Sequence, residues 1–378
     1  MLTATFATAV AAPSIVVEVA TGKVVSQYQA FDRWYPASLT KLMTVYTVFE
    51  EIKKGKISLN SPVKVSSHAL AEPPSKMGFP VGTVMTVETA IKILMVKSAN
   101  DIATATAESV GGSESAFVAM MNANAARLGM KDSHYVNAHG LQEDQQYTSA
   151  RDLAVLTLAI KKEFPQYSKY FSIQAIKAGR RRLTNHNPLL FRFDGTNGMK
   201  TGFTCNSGLN IVVSARRGGR ELIAVVLGGE TGQERNVRAA KLLSEGFAKN
   251  VFFSNTKIDN LKPVGAVHRF PVNMREAVCS RKKKKKMVTA SAGASIFAMK
   301  QPSLDDLEDK YLKKKVVISR VERISLGHAT GPDPYGLLGG KAKADVTSYA
   351  EEASDGKWPV VFGTKRVKVP VPEPRPQR

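Results

Sequence analysis

Gly198-Met199-Lys200-Thr201-Gly202-Phe203-Thr204 is followed by two apolar runs, Leu209–Ala215 and Glu221–Leu227, joined through Arg217-Gly218-Gly219-Arg220. The run lengths and the paired glycines predict consecutive strands, the last two closed by a tight hairpin. Lys200-Thr201-Gly202 is expected to begin the first of them. An earlier hairpin is expected from Ser14–Val19 and Lys23–Tyr28 around Thr21-Gly22. Between these strand-rich ends, the chain from about Thr40 to Asp152 reads as helical. Glu234–Lys249 reads as an amphipathic helix that packs on the sheet. The expected class is α+β: an antiparallel five-stranded sheet flanked by helices, with a large helical insertion.

Two short patterns stand upstream of Lys200 in a fixed order. Ser38-Leu39-Thr40-Lys41 opens an apolar helical run that reaches Ile52 without Gly or Pro. Ser38 and Lys41 are three apart and share one face of such a helix. Ser98-Ala99-Asn100 lies between the apolar stretches Val87–Val96 and Ile102–Val110, which suits a short interhelical loop. Together the three patterns offer a hydroxyl nucleophile, an amine base, a proton shuttle and a cationic strand edge for a carboxylate. Each pattern alone is weak. Ser-x-x-Lys recurs at Ser254, Ser280 and Ser354, and Ser58-Leu59-Asn60 repeats the Ser-x-Asn form. Taken singly, Ser38 also reads as an N-cap, Ser98 and Asn100 as loop residues, and Lys200 as an edge-strand lysine. Order, spacing and context carry the weight.

In that order the trio resembles the signature of penicillin-binding proteins and class A β-lactamases. Over roughly residues 14–250 the chain resembles the serine D-Ala-D-Ala carboxypeptidases, the low-molecular-weight penicillin-binding proteins of peptidase family S11. Ala71–Gly78, Asn137-Ala138-His139-Gly140-Leu141 and Tyr147–Leu153 resemble further blocks of that family. Ala99 stands for its usual Gly, Thr148-Ser149 inverts its Ser-Thr, and Phe203 stands where some members carry His. The resemblance implies a β-lactamase/transpeptidase-like fold, with the cleft between the helical part and the strand carrying Lys200. It also implies removal of the terminal D-Ala from peptidoglycan stem pentapeptides through a Ser38 acyl-enzyme, inhibited by β-lactam antibiotics. Ser38, Lys41 and Ser98 are then the catalytic residues. Asn100, Lys200, Thr201, Gly202 and Thr204 bind substrate, and the backbone amides of Ser38 and Phe203 form the oxyanion hole. Gly202 is expected to let substrate lie against the strand.

Other activities use parts of the same residue set. A class A-like β-lactamase needs a carboxylate to activate water; no Glu-x-x-x-Asn loop stands between Asn100 and Lys200, and Glu143, the nearest acid in the relevant stretch, lacks the expected Asn. A D,D-endopeptidase acting on wall cross-links would use the same side chains. A non-catalytic wall-binding protein would not need all of them. No histidine pair has the spacing of metal-dependent hydrolases, so neither metal nor other cofactor is expected in the reaction.

The chain of 378 residues suits one catalytic unit, residues 13–252, and a basic low-complexity extension, residues 253–378, whose composition favours disorder. Lys257–Val278 is expected to form a few short strands. The formal net charge is +22, and roughly half of the excess lies beyond residue 250. The run Arg281–Lys286 suits an anionic wall polymer or membrane surface, or simply a solvated linker. Nucleic acid is not expected, because no aromatic platform accompanies the charge. Residues 1–12 read as a signal peptide with Ala9-Val10-Ala11 as its cleavage site, although the usual leading positive charge is missing. An exported, periplasmic or cell-envelope location follows. Only Cys205 and Cys279 are present, far apart, so a disulfide is not expected.

Overall fold

The computed structural model describes residues 12–249, 256–280, 302–314, 318 and 321–339. Residues 1–11 of the expected signal peptide, the basic run Arg281–Lys286 and the Pro-rich end Val369–Arg378 lie outside the described residues.

Strands β1 (Ser14–Glu18) and β2 (Val24–Tyr28) form the first hairpin. A 3-10 turn, Ala37–Leu39, leads into helix α1 (Thr40–Lys53). A small hairpin of β3 (Pro62–Lys64) and β4 (Val84–Thr86) encloses α2 (Ser67–Ala71). Helices α3 (Val87–Val96), α4 (Asn100–Gly111), α5 (Glu114–Arg127) and α6 (Ala150–Glu163) complete the helical part. The short strands β5 (Ala175–Ala178) and β6 (Arg181–Thr184) and helix α7 (Leu189–Arg192) precede β7 (Thr196–Thr204), β8 (Gly208–Arg217) and β9 (Arg220–Gly229). Helix α8 (Gly232–Ala248) closes the domain.

The main sheet has the order β2-β1-β9-β8-β7, antiparallel throughout. It joins both ends of the domain by pairing Ser14 with Val226, as expected from the sequence. The β8–β9 turn places Gly218 and Gly219 at positive φ between the paired Arg217 and Arg220, the geometry a two-residue hairpin demands. One expectation shifts: Lys200 lies in the middle of β7, because pairing with β8 already begins at Thr196↔Ala215.

Both faces of the central strands are covered. Val16, Ile211, Val213, Leu222, Ala224 and Val226 pack with Val237, Ala240 and Leu243 of α8. Their neighbours Ile15, Val17, Val212, Ile223, Val225 and Leu227 join the core that includes α1 and α6. Two-sided burial is why these strands read as continuous apolar runs, without polar alternation. Each fully buried aliphatic side chain contributes about 1.5–3 kcal/mol. α1 is buried almost all round, down to Lys41, Thr44 and Glu51, so the helix that carries the candidate base is held by packing on all sides.

The extension returns to this unit. Lys257–Val278 contains no strand; a 3-10 turn at Ile258–Asn260 and helix α9 (Arg275–Cys279) replace the expected ones. Much of the segment is exposed and is tied down by polar contacts instead of a ladder. His268 bonds Asp32 through its amide at 3.0 Å and its ring at 2.7 Å, and Arg269 donates to Asp132 at 2.6 Å. Helix α10 (Leu304–Tyr311) packs on α8, and Arg192 pairs with Glu308. Strand β10 (Val321–Ile324) adds in parallel to β5, giving a sheet of order β10-β5-β6.

The two cysteines correct the sequence reading. Cys205 and Cys279 form a disulfide with Cα atoms 5.7 Å apart, although 74 positions separate them. Cys205 lies in the β7–β8 turn, and α9 reaches it because Met274 N–H donates to Asn206 O at 2.9 Å and Arg275 Nε donates to Asn206 Oδ1 at 3.0 Å. Neither contact is visible in linear spacing. Replacing Cys279 by Ser is expected to lower stability by about 2–4 kcal/mol, through the freed loop entropy of the unfolded chain. Urea denaturation of both proteins under oxidising conditions measures the difference.

Candidate active site

Ser38 sits on a turn held in an uncommon conformation. Ala37, just before it, has φ +47°, and Ser98 across the cleft has φ +61°. A non-glycine residue in this region costs on the order of 1–3 kcal/mol and persists only where the surroundings enforce it. Here they do. Asn210 Nδ2 donates to Tyr35 O at 2.9 Å and Pro36 O at 3.2 Å. Gly140, itself at φ +92°, lies so close that a Cβ there would stand 1.9 Å from Ala37 O. Gly202 of β7 abuts the same turn: an added Cβ would meet Pro36 O at 2.9 Å and Ser38 N at 3.1 Å. The glycine is therefore required to bring β7 against the serine turn, a different reason from the substrate clearance expected from the sequence.

Lys41 lies one turn along, with no exposed surface. Its Nζ is 3.2 Å from Ser38 Oγ, 2.8 Å from Asn100 Oδ1 and 2.7 Å from His139 O. Burial, and then the nearby Lys200 charge, hold its pKa well below the usual lysine range; Asp101 and Glu72 oppose the shift. Asn100 Nδ2 donates to Pro73 O at 3.0 Å, which turns Oδ1 toward Lys41. Both ends of the Asn100 amide are thus engaged by the protein. The Asp101 carboxylate accepts from the backbone of Met77, Gly78 and Ile102, fastening the 71–78 segment to the start of α4.

On the other side, Lys200 Nζ donates to Ser98 Oγ at 2.8 Å and to Thr201 O at 2.9 Å. Burial and the charge of Arg235 lower its pKa to about 7. Thr201 Oγ1 donates to His186 O at 3.4 Å, and the Thr204 hydroxyl is bound to Ser207 within the β7–β8 turn. Ser98, Thr201 and Thr204 line, with Ser38 and Asn100, one cleft of about 390 Å³, with Phe203 at its edge, half exposed. Every side chain singled out in the sequence lines this cleft, except Lys41 and Lys200, which lie buried behind Ser38 and Ser98.

Three further groups at the cleft were not among the site residues expected from the sequence. The His139 carbonyl holds Lys41, and no side-chain pattern announces a carbonyl. His186 lines the cleft with its pKa lowered to about 4 by burial and Lys200, so it is neutral at pH 7. Arg235 lines it too: its guanidinium is buried, donates to Asn236 Oδ1 at 2.8 and 3.1 Å, and pairs with no carboxylate among the described residues. Burial lowers its pKa only to about 10, so it stays charged. A cation beside the apolar stripe of α8 was the available signal.

The sequence model of peptidase S11, D-alanyl-D-alanine carboxypeptidase, matches residues 2–231. The chain belongs to this family. This S11 peptidase chain is 35% identical over 242 residues to the D-alanyl-D-alanine carboxypeptidase DacF of Bacillus subtilis, covering 62% of each chain. It is 35% identical over 240 residues to DacA of Escherichia coli, covering 62% of this chain and 60% of that one. The S11 chain thus spans about three fifths of the length of these curated relatives. Its fold resembles penicillin binding protein 5 from Haemophilus influenzae, with TM-score 0.60 and 33% identity over 63% of this chain and 71% of that one. Penicillin-Binding Protein D2 from Listeria monocytogenes, solved in the cefotaxime-bound form, aligns with TM-score 0.57 and 27% identity, over 63% of this chain and 97% of that one. The similarity is to the domain that holds the cleft.

Proposed function

We propose that residues 13–252 form a serine D-alanyl-D-alanine carboxypeptidase that removes the terminal D-Ala of peptidoglycan stem pentapeptides, with residues 253–378 as a basic extension. The observation that carries this reading is the setting of Lys41. A neutral amine has two N–H donors and one lone pair. Asn100 Oδ1 and His139 O can only accept, so they take both N–H groups. The lone pair is left for the Ser38 hydroxyl. Burial favours the neutral amine.

In the proposed reaction Lys41 Nζ takes the hydroxyl proton as Ser38 Oγ attacks the carbonyl of the penultimate D-Ala. The oxyanion is stabilised by the amides of Ser38 and Phe203. As the C–N bond breaks, Ser98 Oγ gives its proton to the departing amine and receives the proton that Lys41 had taken, which leaves Lys41 neutral again; Lys200 holds Ser98 in place and stays a cation. Lys41 then takes a proton from the water that attacks the ester carbonyl and passes it to Ser38 Oγ as that oxygen leaves, and the shortened peptide is released. Lys200, Thr201 and Thr204 bind the terminal carboxylate, joined by the unpaired guanidinium of Arg235. Asn100 orients Lys41, and contacts the substrate amide by giving up Pro73.

The described residues lining the cleft include no Asp or Glu. With no carboxylate to activate water, a penicilloyl ester hydrolyses slowly, which supports a penicillin-binding peptidase over a β-lactamase. The substrate's location outside the cytoplasm places the protein in the cell envelope. Among the described residues, no helix is long and apolar enough to cross a membrane.

Intact mass measurement after exposure to benzylpenicillin tests the reading. A persistent adduct of one drug molecule, mapped by peptide digestion to Ser38, is expected. Rapid drug loss without an adduct would point to a β-lactamase, and intact drug without an adduct to a non-catalytic wall protein.

A further inference from the structure

Outside the lining of the cleft, the end of α2 and the start of α5 bring together His68, Glu72 and Glu114. One ligand atom from each lies within 4.8 Å of the other two. His68 and Glu72 are four apart across the end of α2, so they share one face. The remaining atoms of all three side chains are already held. His68 Nδ1 faces Glu108 Oε1 at 2.9 Å, leaving Nε2 toward Glu114 Oε2 at 4.0 Å. Glu114 Oε1 accepts from Ala138 N–H at 3.2 Å. Glu72 Oε1 accepts from Thr104 Oγ1 at 3.0 Å and lies 3.3 Å from His139 Nε2.

His139 itself is not a ligand. Its Nδ1 accepts from Leu141 N–H at 3.1 Å, so in the neutral ring Nε2 carries the proton that Glu72 receives. The arrangement has the form of a metal site with its outer shell in place: a carboxylate on the far nitrogen of the histidine ligand, and hydrogen bonds on the second oxygen of each carboxylate ligand.

The charge balance points the same way. The chain has 54 lysines and arginines against 32 acids. Yet among the described residues no lysine or arginine forms an ion pair with Glu72, Glu108 or Glu114; their only ion-pair partners are His68 and His139. Three carboxylates thus cluster in a strongly basic protein with no lysine or arginine paired to them among the described residues.

We propose that His68 Nε2, Glu72 and Glu114 bind one zinc ion, outside the catalytic cleft. One imidazole and two carboxylates suit Zn²⁺, whereas Mg²⁺ and Ca²⁺ prefer all-oxygen shells. Tetrahedral bonds of about 2.0–2.2 Å require the three atoms to draw together, and the exposed His68 side chain has the freedom to do so. Water takes the fourth position. The ion ties α2 to α5 and braces Glu72, which holds His139, whose carbonyl carries Lys41.

The test uses the full chain, stripped with chelator and titrated with Co²⁺ as a spectroscopic stand-in, then with Zn²⁺. One Co²⁺ per chain is expected, giving visible ligand-field bands of a four- or five-coordinate site that one equivalent of Zn²⁺ abolishes. His68→Ala and Glu114→Gln should each weaken Zn²⁺ binding at least tenfold, while the circular dichroism spectrum of both variants stays that of the parent. Absence of a stoichiometric Co²⁺ spectrum in the parent, or undiminished Zn²⁺ binding in the folded double variant, would overturn the proposal. Neither readout depends on the activity of Ser38.

Discussion

Lys41→Met lowers the rate of Ser38 acylation by benzylpenicillin about 10³-fold, the scale of a lost general base. Methionine keeps the length and apolar stem of the side chain but removes the amine. The loss comes from the chemistry, because Ser38 then has no group to take its proton. A smaller cost falls on stability: Asn100 Oδ1 and His139 O lose their donor, at about 1–3 kcal/mol for each unmet buried acceptor. Thermal denaturation of the variant separates the two effects. Lys41→Arg should not rescue, since a guanidinium keeps its charge and offers no lone pair. A variant with arginine that acylates at near-parental rate would remove Lys41 from the role of base.

The same assignment has a pH signature with a definite sign. The base works as a neutral amine, so acylation rises with pH as Lys41 loses its proton, and its depressed pKa brings that limb below the ordinary lysine range. In the proposed reaction Lys200 acts as a cation on the carboxylate and on Ser98, and it loses its charge as pH passes about 7. The second-order acylation constant should therefore follow a bell that declines on the alkaline side. A rate climbing steadily to pH 10, as an unperturbed lysine would give, contradicts the arrangement.

Gly202→Ala has the second large effect: about 10²-fold slower acylation, with the fold retained. The new methyl carbon would stand 2.9 Å from Pro36 O and 3.1 Å from Ser38 N and Leu39 N. These are backbone atoms of a turn already held at a positive φ, so they cannot swing aside as a side chain would. Strand and turn must separate by a few tenths of an ångström, and small misplacements of reacting groups cost rate steeply. Stopped-flow acylation, with urea denaturation as the control, checks it. An unchanged rate would show that β7 need not press on the serine turn.

How much of this was legible in the sequence depends on the range of the cause. The strands β8 and β9 and their hairpin were readable, because run length and Gly218-Gly219 are local. The helices flanking Ser98 were readable too, because Val87–Val96 and Ile102–Val110 are local apolar stretches, and Thr86 caps the first of them by accepting from Thr89 N–H. The 257–278 segment was misread as strands, because short apolar-polar mixtures do not reveal whether a ladder partner exists. The disulfide was missed because two cysteines 74 positions apart carry no geometric information until α9 docks on the β7–β8 turn.

The amino-acid sequence by itself pointed to the elements and the candidate reacting groups: Ser38 and Lys41 at one helical start, Ser98 and Asn100 where one helix gives way to the next, and Lys200 on a strand. Those assignments follow from apolar periodicity and motif spacing, which act over a few residues. The tertiary structure alone decided how the groups meet. It placed the His139 carbonyl and Asn100 Oδ1 on Lys41, set Lys200 on Ser98, and turned Arg235 from a helix surface into a buried cation of the cleft. It also made Gly140 and Gly202 indispensable to the serine turn. The physical reason is that pKa shifts and close backbone contacts come from burial and from neighbours distant in sequence, and both exist only once the chain has packed.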